Sequence, residues 1–170
     1  MQHQITYLSP GGHAEMFAEA FCEILPRSTA MERLDRNPSI DADIHLVGFE
    51  LNTISLNAIP GEVINFLDEL DNKIIFLFAT VPFAVNDSVS RQIHNRMISY
   101  LPRDCDYRGM YLSPAAPSDA LLCELKRLCR NEPQNERAKA WLERCEKAQR
   151  RPNNRDVQKA VQFMKHVLEI

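Results

Sequence analysis

The chain has 170 residues, 45% of them hydrophobic and 25% charged, a balance typical of a globular domain with a full core. Its formal net charge of −3 argues against nucleic-acid binding, because no basic stretch with interleaved aromatic residues accompanies it. The longest apolar run, 74–79, is too short to span a membrane, and the first residues lack a signal-peptide pattern, so we expect a cytoplasmic protein.

A short strand and an amphipathic helix open the chain, joined by a glycine turn. The strand is predicted at 5–8 and the helix at about 14–25, where apolar residues recur on one face. The turn reads Gly11-Gly12-His13-Ala14. Unpaired backbone N–H groups at the positive end of a helix attract anions, so this turn is a candidate phosphate site.

Strand-like and helix-like segments then alternate. Strands are predicted near 30–34, 44–49, 74–79 and 107–112, and helices from Pro60, at 87–100 and at 118–129. The strand at 74–79 is apolar on both faces, which is typical of a central parallel strand buried between two layers of helices. This alternation predicts an α/β fold, a doubly wound parallel sheet with helices on both faces.

Two further helices are predicted near the C-terminus. A break at Glu132-Pro133 precedes a helix at about 135–149, for which Trp141 is the expected docking anchor, and a second break at 150–154 precedes the last helix. We interpret the last helix as packing on the sheet. Residues 132–152 are then an extra helical segment inserted within a single domain that spans 1–170.

Several short motifs accompany this order of elements. They are YLSPGGHA at 7–14, DIHLVGF at 43–49, FLDEL at 66–70 leading into KIIFLFAT at 73–80, and the tail segment from 135–138 to 156–157. Together they resemble the flavodoxin family, in the type with an extended C-terminal helical tail, over essentially the whole chain. The resemblance implies a five-stranded sheet of order 2-1-3-4-5 and a non-covalently bound FMN.

The resemblance also assigns the phosphate site. In flavodoxins the first turn holds the FMN phosphate with hydroxyl side chains and backbone N–H groups, and the matching residues here are Ser9, Gly11, Gly12, His13 and Ala14. Gly11 and Ala14 stand where the family has hydroxyl residues, and His13 replaces an asparagine. A hydrogen bond to a charged group contributes about 1.5–3 kcal/mol, so two lost hydroxyls predict FMN binding weakened by about two to four powers of ten. A protonated His13 could supply a new donor.

Two other loops would flank the flavin ring by the same resemblance. Their candidate residues are Phe49 and Glu50 after the third strand, and Thr80, Val81, Phe83 and Asp87 after the fourth. Phe49 and Phe83 would stack on the flavin, or else both are core residues, and the residues themselves leave these alternatives open. The carboxylates of Glu50 and Asp87 would disfavour the anionic reduced flavin and lower its potential.

The function implied by the resemblance is electron transfer between a reductase and an acceptor oxidoreductase, by a carrier without a substrate of its own. The departures at Gly11 and Ala14 motivate a second hypothesis, in which the chain keeps the fold, has an eroded FMN site and acts as a non-redox binding or assembly partner. A third hypothesis, a flavin-dependent reductase of quinones or other small molecules, requires a substrate pocket.

Overall fold

Five parallel strands form the central sheet of the computed structural model, which describes residues 1–55 and 58–170. They are β1 (His3–Leu8), β2 (Ala30–Arg33), β3 (Ile44–Glu50), β4 (Ile74–Val81) and β5 (Asp106–Pro114). Their order is β2-β1-β3-β4-β5, and each neighbouring pair is parallel. The predicted doubly wound sheet of order 2-1-3-4-5 is therefore confirmed.

Six α-helices connect and follow the strands within the described ranges. They are α1 (His13–Ile24), α2 (Gly61–Asp68), α3 (Asp87–Ile98), α4 (Asp119–Asn131), α5 (Glu136–Lys147) and α6 (Asn154–Leu168). The side chains capping α3, α4, α5 and α6 each accept a backbone N–H three residues on; they belong to Asn86, Ser118, Asn135 and Asn153. Helix α1 differs, because its N-cap is Gly12 and offers no side chain.

Two hydrophobic clusters cover the two faces of the sheet. Alternate residues of β4 enter different clusters: Phe76 and Phe78 pack with α1 and α6, whereas Ile75 and Leu77 pack with α2, α3 and α4. Since successive side chains of a strand point to opposite faces, a strand covered on both sides must be apolar throughout. The interpretation of residues 74–79 as a buried central strand is confirmed.

The C-terminal helices take separate places. Helix α6 contacts α1 and β5, so the last helix packs on the sheet as predicted, and α5 contacts α4. The description of residues 132–152 as an insertion within one domain stays a prediction. In the part of the chain that the structure describes, each helix is too short or too polar to cross a bilayer.

Candidate functional site

The turn between β1 and α1 forms a cradle of hydrogen-bond donors. Gly12 has φ 78°, a left-handed conformation that glycine adopts without strain, and its N–H donates to the carbonyl of Ser9 at 3.2 Å. The turn thereby directs the N–H groups of Gly11, His13 and Ala14 toward a common point. We call these three N–H groups, together with the Ser9 hydroxyl, the cradle.

The carboxylate of Glu50 occupies the cradle. Its Oε1 accepts from Ser9 Oγ at 2.6 Å, from the N–H of His13 at 2.6 Å and from the N–H of Ala14 at 3.0 Å. Its Oε2 accepts from the N–H of Gly11 at 2.7 Å. Glu50 is only 4% exposed. Because its carboxylate accepts the first N–H groups of α1, it serves as the N-terminal cap that Gly12 does not supply.

The pairing of strands explains why Glu50 reaches the turn. Leu8, the last residue of β1, pairs with Phe49 of β3, so the next residues, Ser9 and Glu50, lie side by side at the carboxyl ends of the two strands. Glu50 was expected beside a flavin ring; in the structure its carboxylate lies in the turn, which offers it four donors at 2.6–3.0 Å. Its role toward a flavin stays a prediction. Burying a carboxylate is costly unless it is paired, and these bonds together with the helix dipole compensate that cost.

The remaining groups of the turn fix the start of α1 to the end of β1. The N–H of Glu15 donates to Ser9 Oγ at 3.0 Å, so the Ser9 hydroxyl links this N–H to the Glu50 carboxylate. The hydroxyl of Tyr7 donates to Glu15 Oε1 at 2.8 Å. Burial, followed by this bond to Glu15, raises the pKa of Tyr7. These two bonds fix the position of the cradle between the end of β1 and the start of α1.

Gly11 leaves room for the carboxylate. A Cβ at this position would lie 3.0 Å from Glu50 Oε2 and 3.1 Å from His13 Cδ2, closer than side chains normally approach. A threonine at position 11 would therefore compete with Glu50 for space. Gly11 has no side chain to donate a hydroxyl, and the same lack of a side chain leaves space for the Glu50 carboxylate.

The two aromatic residues proposed for flavin stacking lie inside the protein. Phe49 and Phe83 both have 0% exposure and belong to the cluster on the α2–α3 side of the sheet. Phe83 meets Trp141 of α5 edge to face at 5.0 Å, and the Arg144 guanidinium lies 5.0 Å from the Phe83 ring and 4.4 Å from the Trp141 ring. In this arrangement neither phenylalanine presents a face to a ligand, because core packing and α5 cover them.

The backbone after β4 is also engaged. The carbonyl of Thr80 accepts from the N–H of Leu51 at 2.9 Å, and the carbonyl of Val81 accepts from the N–H of Ala115 at 2.8 Å. Asp87 is exposed in the first turn of α3. The roles proposed for Thr80, Val81 and Asp87 toward a flavin stay predictions.

A cavity of about 410 Å³ adjoins the cradle. It is lined by Pro10, Gly11, His13, Asn52 and residues 116–119. Asn52 and residues 116–119 were not among the predicted site residues, although the convergence of loops at the carboxyl ends of parallel strands predicts that they share this edge of the sheet. Across residues 1–55 and 58–170, no group of three or more His, Cys, Asp or Glu side chains is placed to hold a metal ion.

Comparison with known proteins gives a consistent set of similarities. A family model described as "Flavodoxin domain" matches residues 4–165. The flavodoxin-like domain-containing protein BilS of Clostridioides difficile (strain CD3) is 24% identical over 102 residues, which cover 60% of this chain and 58% of that protein. The aligned part thus spans less than two thirds of the relative's length.

Two solved structures share the fold. A short-chain flavodoxin associated with a non-canonical PDU bacterial microcompartment has a TM-score of 0.57 at 13% identity, with 99% of this chain and 97% of that chain covered. A flavodoxin of Streptococcus pneumoniae TIGR4 has a TM-score of 0.56 at 12% identity, with 99% of both chains covered. At this identity the likeness concerns the arrangement of elements, not the residues of the site.

Proposed function

The chain belongs to the flavodoxin family, and from that premise we propose that it binds FMN and transfers electrons to a partner oxidoreductase. The observation that carries the proposal is the cradle, whose three N–H groups and one hydroxyl converge on a single anion at the start of α1. In flavodoxins the turn at this position holds the FMN phosphate. Backbone N–H groups at a helix N-terminus are suited to such a group whatever the neighbouring side chains.

The donors fit a phosphate, but the Glu50 carboxylate uses the same donors. The hydroxyl of Ser9 and the N–H groups of Gly11, His13 and Ala14 would hold the phosphate of FMN only after Glu50 has left the cradle. When bound, FMN supplies the electron-transfer chemistry, and the protein contributes binding, orientation and control of solvent. The cavity beside Gly11 and His13 would adjoin a phosphate held in the cradle.

A specific observation favours a second function, that of a non-redox binding or assembly partner. Glu50 already satisfies the cradle, so the fold needs no bound anion to cap α1. Helix α5 covers Phe83 and hydrogen bonds the following loop, because Ala84 N–H donates to the Arg144 carbonyl at 3.2 Å. Both features suit a flavodoxin fold that has lost its cofactor.

Titration of the purified protein with FMN decides between the two functions. We expect saturable quenching of flavin fluorescence, and we expect Ser9→Ala to change the Kd for FMN, because the Ser9 hydroxyl donates to whichever anion the cradle holds. Ser99→Ala is the matched control, since Ser99 Oγ donates to the Arg96 carbonyl on α3 and lies outside the cradle.

An absence of quenching at millimolar FMN would refute FMN binding and support the function of a non-redox binding partner. If FMN binds, a redox titration tests electron transfer. A carrier must shift the midpoint potentials of its flavin, and values equal to those of free FMN would contradict that role.

A further inference from the structure

We propose that Glu50 is the specificity-determining residue of the cradle, an internal competitor that controls whether a phosphate-bearing ligand can bind. This inference rests on the proposed function, because it concerns the same site. To bind, the ligand's phosphate must replace the Glu50 carboxylate in the cradle.

The donors of the cradle cannot serve both anions. Ser9 Oγ has one proton, each backbone N–H has one, and all four are directed at the Glu50 oxygens over 2.6–3.0 Å. A phosphate placed beside an undisplaced Glu50 would meet a like charge without any of these donors, which is unfavourable at contact distance. Binding of phosphate therefore requires that the carboxylate leave.

The surroundings give the displaced carboxylate a place to go. Gly11, which touches Glu50 through its N–H, and Asn52, two residues beyond Glu50, both line the cavity of about 410 Å³. Glu50 is also the last residue of β3, so its side chain can turn outward without breaking the pairing of the strands. A rotation of the side chain toward this cavity would free the four donors for a phosphate.

The exchange distinguishes ligands that carry a phosphate from ligands that do not. Riboflavin shares the ring and the ribityl chain of FMN but lacks the phosphate, so it does not need the donors that Glu50 uses. Removing the Glu50 carboxylate is therefore expected to strengthen the binding of FMN and of inorganic phosphate, and to leave riboflavin unchanged. A residue that merely supported the fold would affect both flavins alike.

The test compares the wild type with Glu50→Ala and Glu50→Gln. Glu19→Gln is the matched control, because it removes the same charge from an exposed position on α1. Fluorescence titrations give the Kd for FMN and for riboflavin. Titration with inorganic phosphate, followed by the amide chemical shifts of Gly11, His13 and Ala14, reports on the cradle without any flavin.

We expect Glu50→Ala to bind FMN at least about tenfold tighter than the wild type, with no change for riboflavin or in the Glu19→Gln control. The cradle amides of Glu50→Ala should respond to inorganic phosphate at lower concentration than those of the wild type. Should Glu50→Ala fail to fold, Glu50→Gln, which keeps the size of the side chain and removes its charge, is read in its place.

The outcomes distinguish this inference from the proposed function. Equal FMN affinity in the wild type and the variants would overturn the inference and leave FMN binding intact. A phosphate response in the variants without flavin binding in any protein would support the inference and refute FMN binding. If neither variant folds alone, refolding in inorganic phosphate decides: recovery of the fold supports the exchange, and continued failure to fold refutes it.

Discussion

Gly11 and Glu50 form a coupled pair of residues at the start of α1. The Cβ of any other residue at position 11 would come within 3.0 Å of the Glu50 carboxylate that the Gly11 N–H binds. Removing the carboxylate leaves four donors without an acceptor, whereas enlarging Gly11 displaces it. The two changes therefore act on one contact, and their effects on stability should not add.

A double-mutant cycle measures this coupling. Gly11→Thr, which restores the hydroxyl typical of the family, is expected to lower the free energy of unfolding by about 1–3 kcal/mol through overpacking. The same substitution in a Glu50→Ala background should cost clearly less, because the contacted oxygen is gone. Urea denaturation of the four proteins provides the energies, and additive losses would show that Gly11 and Glu50 are independent.

At the scale of elements, α5 holds the loop between β4 and α3. The guanidinium of Arg144 lies beside the contacting rings of Phe83 and Trp141 and donates to the Ala84 carbonyl at 3.1 Å. The carbonyl of Arg144 accepts the N–H of Ala84 in return. Trp141, the anchor predicted from helical spacing, packs against Phe83 and thereby docks α5 on this loop.

Arg144→Ala is expected to loosen the loop and to lower the free energy of unfolding by about 1–3 kcal/mol, because the cation–π contacts and the hydrogen bond are lost together. Amide hydrogen exchange at Ala84 should accelerate. Arg150→Ala, an exposed change of the same charge, is the control. Unchanged exchange at Ala84 would mean that α5 does not restrain the loop.

The elements themselves could be predicted because each depends on a local pattern. The apolar run 74–79, typical of a buried central strand, is visible in a single stretch of sequence. The partners of Glu50 and Phe83 could not be predicted in this way. Ser9 and Glu50 are 41 residues apart, and Phe83 is covered by a helix that begins more than 50 residues later, so only the assembled fold decides their contacts.

At the scale of the whole molecule, Asp156 connects α6 to β5 of the sheet and to the segment that precedes α6. The guanidinium of Arg151 donates to its carboxylate through both Nε and a terminal nitrogen, and the N–H of Asn153 donates to the same carboxylate at 2.9 Å. The hydroxyl of Tyr111 on β5 donates to the Asp156 carbonyl at 3.2 Å. The Arg151 carbonyl also accepts the N–H of Ala116, which ties the loop after β5 to the same point.

This arrangement predicts a loss of stability in acid. Burial raises the pKa of Asp156, but the bonds from Arg151 and Asn153 outweigh burial and hold the pKa below its usual value. Stability from a lowered carboxyl pKa is complete above the unfolded value of about 3.9 and is lost as the pH falls through the folded value. Asp156→Asn should reduce stability near neutral pH and flatten the acid dependence of urea unfolding between about pH 5 and 2. A variant with the slope of the wild type would refute this assignment.

The capping of α1 by Glu50 has a consequence for the protein in the cell. A ligand that binds only the folded state adds stability that grows with its concentration relative to its Kd, so a protein that depends on a coenzyme for stability is destabilised when that coenzyme is scarce. Here the polypeptide provides its own anion, so the folded chain caps the start of α1 without a bound ligand. The level of the folded protein should therefore stay unchanged in cells starved of riboflavin.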